Sequence, residues 1–420
     1  MKLEVTGEML WLLLFLPLFL LCSLRLLPGL FLLIRERERK KAGIKDTGEQ
    51  MKPAQAAAAS LAASVGIGNI VGTSQAITMG GPGAVFWMWI AAILGFSVKA
   101  GEIWFGQAYG GAAGIIRRAL GTLPARFYTL LAVLSSLLVG NMAQMNASMD
   151  ALCHLVPESS MTGRLLLGSA LMILATCSIA GGEKALGSIC QILVPIMALL
   201  YCCCAAIVVF SHGQPLSALF SRIFSEAFRP KAALGAAGGL GLRSAMLWGL
   251  RRGTFSHESG LGSAATIHST VHSDCPRRHA LWGIAENSVD TLLLCTVSAL
   301  VVLGSGAEIP YGTLPGSGLI LNSFSVVFGQ GRGSGLLALI LLCFGFSTVL
   351  GCYIMGSRCA AWIQLKEKSF RCVFLACSAL GCLLPVGLIW RAADAVNVLL
   401  AVPNLLSLIL LAPLIGRNET

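Results

Sequence analysis

The residues best suited to chemistry lie inside the apolar runs of this chain, not between them. In "SVGIGNIVGTSQAITMGGPG", residues 64–83, glycines interrupt a stretch long enough to cross a bilayer, with the amide of Asn69 among them. Glycine weakens a helix by about 1 kcal/mol relative to alanine. A break at membrane depth frees carbonyl and N–H groups that must find partners. Freed carbonyls suit a small cation, and the amino end of a half-helix attracts a carboxylate. Gly66 and Gly68 permit such unwinding and Asn69 supplies an amide. The alternative is close helix packing through Gly68-x-x-x-Gly72. A second interruption, "RRGTFSHESGLGSA" at residues 251–264, shifts the balance toward a paired ion and substrate cradle.

Other polar groups sit at similar depth. "GNMAQMNAS" carries Asn141, Gln144 and Asn146 about one turn apart. They suit a polar lining or hydrogen bonding between helices. "FGFSTVLGCY" offers adjacent hydroxyls at Ser347 and Thr348, fit for a hard monovalent cation or for bonding their own helix. Lys99 and Glu102 are three apart and are expected to neutralise each other. Glu258 lies in the second interruption, to face a ligand or to satisfy loose backbone; Glu286 and Asp290 share a helix face. His268 and His272 have a spacing that suits zinc, but no HExxH pattern surrounds them, so no metal centre is expected there.

The elements that must position these groups are transmembrane helices. The 420 residues are 56% hydrophobic and 12% charged, with a mean hydropathy of +0.79. Soluble domains carry about 25% charged residues. Hydropathy predicts eleven spans, near 9–34, 54–80, 84–109, 125–151, 162–181, 188–211, 239–270, 279–305, 334–364, 370–390 and 395–416. The net charge of +11 does not mark a nucleic-acid binder, because no basic face interleaved with aromatics accompanies it. Seventeen lysines and arginines fall in alternate loops beginning with 35–52, against seven on the other side. That bias puts the carboxyl terminus in the cytoplasm, with the sequon Asn418-Glu-Thr420, and the amino terminus outside. The fifteen cysteines are scattered through apolar segments without metal or redox spacing. The first apolar run, interrupted by Arg25 and Pro28, reads as a retained helix.

The two interruptions lie five spans apart, at matching places in successive five-helix units, which is the pattern of an inverted repeat with its site at the interface. The expected organisation is an amino-terminal helix and basic loop (1–53), a first five-helix repeat (54–211), an outside loop (212–238), a second repeat (239–416) and a short tail (417–420). Within the outside loop, LSALFSRIFSEAF has helical apolar spacing, for an interfacial lid or a plain connector.

Read together, "SVGIGNIVGTSQAITMGGPGAVFWMW", "GNMAQMN", "RRGTFSHESGLGSAATIH", "FSTVLGCY" and "AVPNLLSLILL" closely resemble the alanine or glycine:cation symporter family, in order and over nearly the whole chain. The resemblance implies sodium-coupled uptake of a small neutral amino acid by a monomeric plasma-membrane protein. The implied fold is all-α and leucine-transporter-type, a 5+5 inverted repeat with one helix added in front. It implies substrate contacts at Ser64, Gly66, Gly68, Asn69, Gln144, Phe255, Thr348 and Cys352. Sodium is expected at Gly66, Asn69, Ser347 and Thr348, with no cofactor and no catalytic residue. The chain departs from the family pattern at His257 (usually Asn), Ser259 (usually Ala), Cys352 (usually Trp) and Ser357. The loss of tryptophan at Cys352 implies a wider pocket, unless Phe346 or Phe255 swings in. A membrane enzyme using Glu258 and the histidines finds no triad, metal set or phosphate loop to support it. A transport-inactive relative acting as an amino-acid receptor remains the alternative from another class.

Overall fold

The computed structural model describes residues 11–35, 51–153, 161–229, 241–271, 273, 276–314, 317–383 and 386–415, and it holds helices and no strand among them. The basic loop 36–50, His272 and the sequon at 418–420 lie outside the described residues. In the first half the helices are α1 (Trp11–Arg35), α2 (Pro53–Ser64), α3 (Gly68–Gly80), α4 (Ala84–Tyr109), α5 (Ala112–Leu120), α6 (Thr122–Met149), α7 (Met161–Ala180) and α8 (Gly182–Ser211). After α9 (Leu216–Ala227) come α10 (Leu242–His257), α11 (Ser263–His268), α12 (Pro276–Gly304) and α13 (Gly318–Phe328). The long α14 (Gln330–Trp362), α15 (Glu367–Leu383) and α16 (Val386–Leu411) complete the chain.

Seven helical segments are long and apolar enough to cross a membrane: α1, α4, α6, α8, α12, α14 and Ala395–Leu414. The pair α2–α3, bent by 50° at its break, makes an eighth. The other three expected spans fall on α7, on α10 with α11, and on α15, all helical but shorter or less apolar. The break at 258 leaves α10 only 16 residues, and α15 has 17; α10 also carries Arg243, Arg251 and Arg252, and α15 opens with Glu367 and Lys368. Exposed Leu24 and Phe31 on α1, and Ile192, Leu199 and Phe210 on α8, form the apolar surface that lipid requires.

Local sequence accounts for both breaks. The alanine-rich α2 opens with Pro53 at its first turn and stops where Val65 turns extended (φ −77°, ψ 92°). It resumes through a wide π turn over Gly68–Gly72. Helix α10 stops where Glu258 enters the left-handed region at φ 54°, and Gly260 (φ 97°) and Gly262 (φ 85°) carry the turn into α11. Two further π turns, Leu138–Met142 in α6 and Ser288–Cys295 in α12, lie beside these breaks in space. Such turns widen a helix and re-aim its side chains.

Small residues let the halves approach. A Cβ on Gly253 would lie 2.9 Å from Ala91 Cβ and 3.0 Å from Met88 Cα, so α10 runs directly against α4. Outside the spans, LSALFSRIFSEA forms α9 as its spacing predicts, burying Leu219, Ile223 and Ala227. Trp87 donates to the Ala227 carbonyl (3.1 Å), and Phe86 packs on Phe228 with ring centroids 5.0 Å apart. Helix α9 is also joined to the loop after α12, where the Arg222 guanidinium donates to the Tyr311 hydroxyl at 3.0 Å.

The contact that sets the first half-helix is Gly351 of α14. A Cβ there would stand 2.5 Å from Ala63 N and 2.7 Å from the Ala59 carbonyl. Gly351→Leu therefore forces α2 away and is expected to cost about 1–3 kcal/mol or more, read as a lower thermal unfolding midpoint. Gly331→Leu, on the same helix with nothing within 4 Å, should leave the midpoint unchanged. Equal midpoints for the two variants would refute the close packing.

Candidate functional site

At the first break the Asn69 N–H donates to the Gly66 carbonyl (3.2 Å), and side chains meet three further freed backbone groups. The Gly66 N–H donates to Asn69 Oδ1 (2.9 Å) and the Ile67 N–H to Gln144 Oε1 (3.3 Å). The Thr348 hydroxyl donates to the Val65 carbonyl at 3.1 Å. Asn69 also reaches the other broken helix: its Nδ2 donates to Ser256 Oγ (2.8 Å) and to the Asp290 carbonyl (3.3 Å). One buried amide thus holds the first break open and ties it to the second.

A different set holds the second break. Glu102 of α4 accepts from the N–H groups of Gly260 (3.1 Å) and Gly262 (2.8 Å) and from Asn404 Nδ2 (2.6 Å). Asn404 also donates to the Gly260 carbonyl at 2.9 Å. Two of the four departures from the expected pattern, His257 and Ser259, are absorbed here. The Ser259 N–H donates to His257 Nδ1 (3.1 Å), and Asn287 Nδ2 donates to Ser259 Oγ (2.9 Å). Neither His257 nor Ser259 lines the cavity described below.

Behind Asn69 lies a buried carboxylate. Asp290 Oδ1 accepts from Ser256 (2.5 Å) and Thr291 (3.0 Å), while its Oδ2 has no partner among the described residues. Lone buried carboxylate oxygens are costly, so this one adds negative potential at the meeting of the two breaks.

Between the breaks is a small cavity. Ser64, Gly66 and Gly68 form its wall from the first broken helix, and Phe255, Ser256 and Glu258 from the second. Gln144 with the π-turn residues Val139 and Gly140 closes it from α6, and Thr348 and Cys352 from α14. Glycine is required at 66, where a Cβ would sit 2.6 Å from Thr348 Oγ1 and 3.1 Å from Gln144 Oε1. Cys352 lies against Gly140, where no Cβ could be added.

Seven of the eight expected substrate residues therefore border one cavity, and Asn69 stands directly behind the wall. Ser347 faces elsewhere, its hydroxyl donating to the Phe344 carbonyl (2.9 Å) with Met197 Sδ at 3.3 Å. The carboxamides of α6 divide by role. Gln144 reaches the cavity, whereas Asn141 donates to the Phe374 carbonyl (2.6 Å) and Asn146 to the Gly381 carbonyl (2.9 Å), binding α6 to α15.

Lys99 and Glu102 do not pair, contrary to their spacing. Lys99 Nζ lies 3.2 Å from Glu286 Oε2 and donates to the His257 carbonyl (3.0 Å), while the broken backbone claims Glu102. Backbone donors left by a break outweigh a helical neighbour. His268 joins no metal cluster among the described residues. Its Nε2 is 2.7 Å from Glu286 Oε1 and its Nδ1 2.8 Å from His279 Nε2, and the Ser60 hydroxyl donates to Glu286 Oε2 at 2.7 Å. No group of metal-ligating side chains forms among the described residues. Sequence reading missed the Glu102–Asn404 clamp, although an asparagine inside the apolar run "AVPNLLSLILL" is the signal that marks it.

Known proteins resemble this chain in sequence and in fold. The chain matches the sodium:alanine symporter family over residues 3–419. It is 32% identical to the sodium/alanine symporter AgcS of Methanococcus maripaludis, over 85% of this chain and 81% of that one. It is 34% identical to the probable sodium/glutamine symporter GlnT of Bacillus subtilis, over 87% and 77%. Among solved structures, MhsT in complex with L-phenylalanine is similar with a TM-score of 0.60 at 15% identity, covering 86% of this chain and 89% of that one. A Na+-coupled sialic acid symporter gives 0.58 at 14% identity, covering 94% and 85%. These likenesses identify the fold as leucine-transporter-type.

The division between Glu102 and Glu258 can be measured. Glu102→Ala strips two backbone donors and Asn404 of their acceptor, and each buried unsatisfied group costs about 1–3 kcal/mol. Its thermal midpoint should fall well below that of Glu258→Ala, and amide exchange at Gly260 and Gly262 should accelerate. A larger loss in Glu258→Ala would reverse the assignment.

Proposed function

The chain belongs to the sodium:alanine symporter family, and from that premise we propose that it couples sodium entry to uptake of a small neutral amino acid by alternating access. The observation that carries the proposal is the convergence of Gly66, Gln144 and Thr348 on one cavity at the first break. The substrate carboxylate is directed to the amino end of α3 at Gly66 and Gly68, where the helix dipole favours negative charge. Sodium takes oxygens that now satisfy the break: the Val65 carbonyl and Thr348 hydroxyl, with Asn69 and the Gly66 backbone adjoining. The unpaired oxygen of Asp290, behind Asn69, favours a cation there. The excess of lysine and arginine in alternate loops supports a plasma-membrane orientation with the carboxyl terminus in the cytoplasm.

Binding of both ligands replaces internal hydrogen bonds at the break, so sodium favours the state that accepts substrate, and substrate lets the outer side close. Labelled alanine and glycine in proteoliposomes test this. Uptake should require an inward sodium gradient and vanish without one. Sodium-dependent binding without uptake would instead establish the receptor reading, and absence of both would refute an amino-acid ligand. Thr348 faces the break and Ser347 faces Met197, so Thr348→Ala should raise the half-saturating sodium concentration several-fold and Ser347→Ala should raise it less. Sodium titrations unchanged in both variants would remove the ion from this place.

Cys352 sets the pocket width. Where the family has tryptophan, cysteine leaves out a side chain that covers ~150–250 Å², and Gly140 opposite adds no bulk. Phe255 lines the cavity with its ring edge 3.5 Å from where a Gly68 Cβ would lie, and so stands on the other side. The pocket is therefore proposed to admit serine, threonine or glutamine beside alanine. In a competition panel, Cys352→Trp should lose the larger residues and keep alanine or glycine. A wild type already limited to alanine and glycine would contradict the wider pocket.

A further inference from the structure

Two carboxylates stand at the second break, and only one is used by the fold. Glu102 takes the N–H groups of Gly260 and Gly262 and the amide of Asn404. Glu258, within the break itself, carries none of that load. Its backbone is left-handed at φ 54°, a conformation rare for a residue with a side chain, and its carboxylate opens on the central cavity. Ser263, at the start of α11, lies near that carboxylate. Among the cavity-lining residues Glu258 alone bears a formal charge. Lys99 is held by Glu286 and the His257 carbonyl, and no cationic side chain among the described residues pairs with Glu258.

A half-buried carboxylate facing neutral walls is costly as an anion unless a cation meets it, and a ligand ammonium in the cavity supplies that cation. The opposite side of the cavity, at Gly66 and Gly68, is the amino end of α3 and suits an anion. The cavity is thus polarised, negative at the second break and positive at the first. We propose that Glu258 is the counter-ion for the substrate ammonium, so that the site selects amines over hydroxy acids of the same shape. This rests on the amino-acid reading above and adds the group that enforces it. The left-handed backbone at 258 holds the carboxylate toward the ligand.

The test uses the full chain in sodium, with L-alanine and L-lactate, which has the same carbon skeleton and a hydroxyl in place of ammonium. Wild type should bind alanine and discriminate strongly against lactate. Glu258→Gln keeps the size and should lose about 10- to 100-fold in alanine affinity, the worth of a charge-assisted hydrogen bond. Lactate affinity should hold or rise, so that the preference collapses. Glu258→Asp withdraws the carboxylate by one methylene and should fall between, which keeps the proposal testable if the glutamine variant does not fold. An unchanged alanine-over-lactate preference in a folded variant overturns it. So does a change confined to sodium affinity, which would give the carboxylate to the ion. Wild type that binds no amino acid at any sodium concentration would overturn the underlying functional reading, a result distinct from an indifferent variant.

Discussion

A helix cannot be broken inside a bilayer without partners for the backbone groups it releases, and this one constraint organises the molecule. Two helices are broken, and each break is met by a dedicated set of side chains. Asn69, Gln144 and Thr348 serve the first, Glu102 and Asn404 the second. Each group left unmet would cost about 1–3 kcal/mol, a large part of the net stability of an ordinary fold. The partners come from α4, α6, α14 and α16, so those helices must pack closely enough to reach. Glycines at 253 and 351 provide the approach.

The same arrangement explains why a structural necessity becomes a binding site. At the first break the satisfying groups are neutral oxygens and an amide, all able to exchange an internal bond for an ion or a ligand. At the second break the backbone is held by a charged carboxylate from another helix, which is a tighter arrangement. On the proposed function the first break is remade on binding while the second persists. Asn69 joins the two through Ser256 and the Asp290 carbonyl. The buried set of Ser60, Lys99, His268 and Glu286 makes a further link between the broken helices, away from the cavity.

Much of this was legible in the sequence, for physical reasons. Glycine clusters with polar residues among them, inside apolar runs, announced both breaks, whereas single glycines such as Gly253 and Gly351 serve close packing. The resemblance to a known family then brought Ser64, Gly66, Gly68, Gln144, Phe255, Thr348 and Cys352 to one cavity wall, where the structure has them. Spacing failed where tertiary demand overrode it. Lys99 and Glu102 share a helical face, yet the bare N–H groups of Gly260 and Gly262 take Glu102. The three amides of α6 looked alike, and only their neighbours separate Gln144 from the α15 clamps Asn141 and Asn146. The three π turns beside the site left no mark that periodicity could detect, since one extra residue in a turn does not alter an apolar run.

The central claim is that ion and amino acid share the first break, and thermodynamic linkage tests it most directly. Alanine binding to the purified chain should be titrated calorimetrically at a series of sodium concentrations, with choline holding ionic strength constant. If both ligands remake the same backbone break, alanine affinity rises with sodium. Sodium affinity then rises with alanine by the same factor, as linkage requires. Alanine affinity that is the same in sodium and in choline would contradict the account.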